Sequence, residues 1–65
     1  MTSTVLKPKW LTVQEVAVLL NQGVPKTKML IAQRRLRSVK DGKYRRVLPE
    51  WVDEYIAQVV AEDDP

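Results

Sequence analysis

The 65-residue sequence predicts a small α+β fold, mostly α. Two observations lead there. Apolar residues return at helical spacing in three separate segments, 13–20, 25–34 and 49–60. Between the second and third, Asp41-Gly42 lies between short runs containing Val39, Tyr44 and Val47, a strong hairpin signal. A third observation points to use: residues 26–46 hold nine Lys or Arg against one acid, Asp41, while residues 47–65 carry a net −6.

A chain of this length forms one domain, near the lower limit at which a hydrophobic core holds without staples. Hydrophobic residues make up 45% of it, too many for a disordered middle. It has no Cys and no His. Disulfides and thiolate or imidazole metal sites are therefore excluded, most acid–base and nucleophilic side chains are missing, and neither metal nor cofactor is expected. The apolar runs are too short to span a membrane, and residues 1–9 lack the apolar segment of a signal peptide. A cytoplasmic protein with no membrane partner is expected.

Residues 1–9 are polar, include Pro8 and show no sustained period, so they read as a flexible N-terminal arm. An ordered domain is expected over 10–61. Thr12-Val13-Gln14-Glu15 is a capping box, with Leu11 and Val16 at the positions of a hydrophobic staple. Val13, Val16, Ala17, Leu19 and Leu20 give a first helix, 13–20, its apolar side. Asn21-Gln22-Gly23 ends it, Asn21 or Gly23 taking the left-handed conformation. Pro25 suits the first position of a second helix, 25–34. There Thr27, Leu30 and Ile31 share a face with Arg34 and lean on the first helix; Lys28, Met29 and Ala32 point away, with Lys26 and Gln33 at the edges.

The hairpin follows over 36–47. With Asp41-Gly42 as its loop, Lys40 opposes Lys43, Val39 opposes Tyr44 and Arg37 opposes Arg46. Pro49 and Glu50 open a last helix, 49–60, whose Val52, Tyr55, Ile56, Val59 and Val60 form an unbroken apolar stripe beside Trp51. That stripe, with Leu11, Val16, Leu19, Leu20, Leu30, Ile31, Val39 and Val47, is the expected core. Residues 62–65 read as an acidic tail.

Two short helices joined by a tight turn make a helix-turn-helix, and the hairpin adds a wing. In that geometry the second helix enters the major groove of double-stranded DNA. The charge distribution fits, since a cationic window bordered by acid offers one surface to a polyanion. Lys26, Thr27, Lys28 and Gln33 are the base-edge candidates, because Lys can donate to guanine and Gln can pair with adenine. Arg34 and Arg35 are candidates for the backbone at the far side of the groove. On the wing, Arg37, Lys40, Lys43, Arg45 and Arg46 are candidates for phosphate or minor-groove contacts. Tyr44 is expected to pack on Val39, its hydroxyl free for a phosphate. Like charges facing each other across a hairpin cost stability, which bound phosphate would offset. Glu50, Asp53 and Glu54 lie on a helix where capping and solvation account for them, so no catalysis is expected.

Trp10-Leu11-Thr12-Val13-Gln14-Glu15-Val16-Ala17-Val18-Leu19-Leu20 resembles the "hydrophobic-Thr-x-x-Glu-Val-Ala-x-Leu-Leu" opening of the excisionase-like and MerR-like DNA-binding domains. Leu36-Arg37-Ser38-Val39-Lys40 with Tyr44-Arg45-Arg46-Val47 is similar to their wing, and Glu50-Trp51-Val52-Asp53-Glu54-Tyr55-Ile56 to their closing helix. The resemblance covers residues 10–57. It departs at two places: Val24-Pro25 stands where these families usually have a Ser or Thr cap, and Arg34-Arg35 where they usually have a Gly before the wing. MerR-type regulators carry a long dimerising helix after such a domain and none follows in these residues, so the nearer resemblance is to phage excisionases, or recombination directionality factors. It implies a non-catalytic protein of the host bacterial cytoplasm that binds and bends DNA beside an attachment site. Implied partners are neighbouring copies of itself and a phage integrase. The alternatives are a small phage or prophage transcriptional regulator of the same fold and a protein-interaction module.

Overall fold

Each helix starts and stops where its local chemistry directs. The computed structural model describes residues 9–63. In it the order is β1 (Leu11–Thr12), α1 (Val13–Leu19), α2 (Val24–Ala32), β2 (Val39–Asp41), β3 (Tyr44–Val47) and α3 (Pro49–Asp63). This is the expected mostly helical α+β arrangement, a winged helix-turn-helix with a three-stranded antiparallel sheet. Most of the expected flexible N-terminal arm, residues 1–8, and the last two residues of the expected acidic tail, Asp64 and Pro65, lie outside the described residues.

The capping box forms as read. The Glu15 amide donates to Thr12 Oγ1 at 3.1 Å, and the Thr12 amide donates to Glu15 Oε1 at 2.9 Å. Val16 is fully buried and Leu11 packs on the same cluster, so the hydrophobic staple is closed. Asn21, at φ 54°, then turns the chain. Its amide donates to the Val18 carbonyl and the Gln22 amide to the Ala17 carbonyl, the paired bonds of a Schellman stop. Gly23 caps α2 with extended backbone and no side-chain hydrogen bond, and Pro25 in the first turn removes one amide that would otherwise need a partner.

A second Schellman stop ends α2. The Arg34 amide donates to the Ile31 carbonyl and the Arg35 amide to the Leu30 carbonyl. Arg34 itself sits at φ 61°, a conformation that an L side chain enters at a cost of about 1–2 kcal/mol. The second helix therefore ends at Ala32, two residues before its expected end, and Arg34 leaves the face it was assigned.

The sheet differs from expectation in two ways. Leu11–Thr12 joins it, pairing Leu11 with Val47 and Thr12 with Arg46, to give the order β1-β3-β2. Two residues are too few to show an alternation, so periodicity gives no sign of this strand. The hairpin register is also shifted by one residue: Asp41 opposes Tyr44, Lys40 opposes Arg45 and Val39 opposes Arg46. The loop is Gly42-Lys43, with Gly42 at φ 63°, matching a hairpin turn that takes Gly at its first central position.

The core comprises Val16, Leu30, Leu36, Val47, Val52 and Tyr55, ringed by Leu11, Leu20, Ile31 and Trp51. Leu36, read as the start of the wing, is 1% exposed and belongs to this core. Leu19, Val39, Ile56, Val59 and Val60 were assigned to the core and are exposed. The reason for the last three is length. α3 runs to Asp63, past the expected end at residue 60, and only its first two turns cover the body of the domain. Glu62 and Asp63, read as part of the tail, are its final residues. Among the described residues no helix is long and apolar enough to cross a membrane.

Candidate nucleic-acid interface

The α1–α2 packing decides which residues of α2 can meet a ligand. Thr27 and Leu30 are buried, Val24 and Ile31 are half-buried, and Pro25, Lys26, Lys28, Met29, Ala32 and Gln33 are exposed. Thr27 was a base-edge candidate and the structure removes it from that role. It is 0% exposed, its hydroxyl donates to the Gly23 carbonyl at 3.1 Å, and it accepts from Gln22 Nε2 at 3.1 Å. It locks the turn instead. A hydroxyl that satisfies two partners inside the protein has nothing left to offer a base.

A groove runs between α2 and the wing. Lys28 and Ala32 line one wall, Lys43, Tyr44, Arg45 and Arg46 the other, with Arg34 and Arg37 from the connector between them. Trp51 and Ile31 contribute apolar surface. A channel walled by cations on both sides suits an anionic backbone, whose many phosphates each gain from a nearby ammonium or guanidinium.

The remaining candidates divide by what they already touch. Arg35 donates to Glu62 Oε1 at 2.5 Å and its guanidinium lies 5.7 Å from the Tyr55 ring centroid. Arg37 Nε lies 3.1 Å from Glu54 Oε1. Both therefore tie the root of the wing to α3. Lys26, Lys28, Arg34, Lys40, Lys43, Arg45 and Arg46 make no ion pair among the described residues. Tyr44 does not stand directly opposite Val39, which faces Arg46 across the ladder. Its ring instead carries the Arg46 guanidinium 5.3 Å from the centroid, two residues along the same strand face. Tyr44 stays 61% exposed, so its hydroxyl remains reachable. Like-charge opposition persists on the wing, but through Lys40 and Arg45 rather than the pairs first expected.

Met29, Ala32 and Trp51 also border this surface, although none was among the expected site residues. Met29 and Ala32 were expected on the outward side of the helix, where the structure leaves them exposed; being apolar, they offered no charge or hydrogen-bonding signal.

Comparison with known proteins agrees with this geometry. The model of the family described as "Helix-turn-helix domain" matches residues 10–59. A protein of Saccharopolyspora erythraea named "Probable excisionase" is 38% identical over 52 residues, which are 80% of this chain and 53% of that protein. The chain thus spans about half the length of the curated relative it matches. No solved structure matches it. The matched span takes in the capping box, the turn, α2, the wing and most of α3, and the chain belongs to the family of the helix-turn-helix domain.

Proposed function

We propose that the protein is an excisionase: a non-catalytic, sequence-specific DNA-binding protein that bends the duplex next to an attachment site and directs a phage integrase towards excision. The observation that carries this reading is the cationic groove between α2 and the wing, in a chain 38% identical to a probable excisionase. α2 occupies the major groove, and Lys40, Lys43, Arg45 and Arg46 follow the backbone into the adjacent minor groove. A narrowed minor groove attracts arginine, so the wing reads shape and favours a bent duplex.

One domain of this size covers little DNA, and specificity then requires several copies on repeated sites. The acidic face of α3 (Glu50, Asp53) and its exposed Ile56 and Val60 suit contact with the basic wing of a neighbouring copy. A titration on one site and on two adjacent sites tests this; equal affinities per site would count against it.

The main experiment is a gel shift with attachment-site DNA from the neighbouring genome, using circularly permuted probes, beside an integrase-dependent excision assay. Position-dependent mobility and stimulated excision are expected. Binding to promoter DNA with no effect on excision would favour the transcriptional regulator instead.

A further inference from the structure

The reading of α2 as the major-groove helix leaves open what it reads there, and its exposed arc answers in an unexpected way. At about 100° per residue, the exposed residues follow one another around the helix as Lys28, Ala32, Pro25, Met29, Gln33 and Lys26, over roughly 160°. The two lysines sit at opposite borders of this arc. Its centre is apolar: Ala32, Pro25 and Met29. Met29 is 50% exposed and lies outside the core cluster and the apolar side chains packed against it. The arc holds no Arg or Asn, the side chains that pair in bidentate fashion with guanine or adenine, and a single Gln at its edge.

A helix lying in the major groove turns the middle of its exposed arc to the base edges and the borders to the sugar–phosphate walls. The arrangement therefore separates two tasks. Lys26 and Lys28 stand where they reach phosphates on either wall, Lys28 on the side shared with the groove towards the wing. Met29 and Ala32 stand where the bases are. The one apolar group that a B-form duplex displays in the major groove is the 5-methyl of thymine. We infer that Met29 and Ala32 are specificity-determining residues that bind thymine 5-methyl groups, and that Lys26 and Lys28 act as phosphate anchors rather than base readers. This rests on the proposed DNA-binding role and adds the chemical class of base that the site selects. An unbranched thioether with three rotatable bonds suits such a contact, because it can settle on a methyl whose position shifts as the duplex bends.

The test uses the full chain and a randomised duplex library. Binding selection should yield sites with thymine at one or two fixed positions. Replacing those thymines by deoxyuridine removes only the methyl group and should weaken wild-type binding by about fourfold per methyl. Met29→Ala, at an exposed position and checked for folding by circular dichroism, should bind the thymine and deoxyuridine forms of one of these positions alike. Lys26→Ala and Lys28→Ala should lower affinity for all sequences evenly and flatten its salt dependence. A selected consensus without a fixed thymine, or equal wild-type affinity for the thymine and deoxyuridine duplexes, would overturn the inference while leaving DNA binding intact. Failure to retain any duplex at low salt would overturn the DNA-binding role and this inference together.

Discussion

Thr27 and Arg34 show how a single side chain can look like a ligand contact and serve the fold, or break a local rule for a reason the fold does not supply. Thr27→Val keeps the buried volume and removes both hydroxyl hydrogen bonds, stranding Gln22 Nε2 and loosening the Gly23 carbonyl. We expect a loss of about 1–2 kcal/mol in urea unfolding. DNA affinity should be unchanged at a temperature where both proteins are fully folded. Arg34 stands at φ 61° where Gly would rest without strain. Arg34→Gly should gain about 0.5–1 kcal/mol, the relief of the left-handed conformation less the added freedom of the unfolded chain. In a domain this small that raises the melting temperature by several degrees. The same change should weaken DNA binding, since a strained cation beside the groove is kept for what it contacts. Equal DNA affinity of the glycine variant would sink that explanation.

At the scale of the element, the wing carries its own trade-off. Lys40 and Arg45 oppose each other in the ladder, a repulsion that neither protein partner nor burial relieves among the described residues. Lys40→Glu turns it into an attraction and should stabilise the hairpin by about 0.2–1 kcal/mol. DNA affinity should fall at the same time, by more than removal of the charge in Lys40→Ala costs. Thermal melts and gel shifts on the same three proteins check both directions. Arg37 tells the opposite story. It leans on Glu54 and both are substantially solvated, so Arg37→Gln should change stability little, as exposed pairs usually do. It should also leave the salt dependence of binding closer to wild type than Arg45→Gln does.

Across the whole molecule the charge is divided: cations on the helix–wing side, acids along α3. Seven of the nine basic residues of the central window are unpaired in the described structure. If about six of them meet phosphates, affinity should fall roughly a thousandfold between about 50 and 200 mM salt. A shallow slope, measured by fluorescence anisotropy over that range, would mean that the cations do not act as one surface. α3 meets this surface through two solvated ion pairs at the root of the wing, Arg35–Glu62 and Arg37–Glu54. Its distal Ile56, Val59 and Val60 are exposed and leave room for a neighbour bound alongside.

What the chain dictates locally could be read from it directly. The Thr12–Glu15 box, the Asn21 stop, Pro25 in the first turn of α2 and the Val52–Tyr55 stripe each depend on residues within one or two turns of one another. Periodicity and capping report such short-range physics, and the clustering of cations needs no structure at all. The structure decided what depends on distant partners. It brought Leu11–Thr12 beside Val47, drew Leu36 into the core, and paired Arg35 and Arg37 with carboxylates more than a turn of chain away. The hairpin register moved by one residue because Gly42, at positive φ, settles first in the loop and pairs its flanks accordingly. The inward side of α2 was legible in the spacing of Thr27, Leu30 and Ile31; that Thr27 is enclosed completely, with no ligand role left to it, was a tertiary decision, because it depends on the packing of α1 and on Gln22.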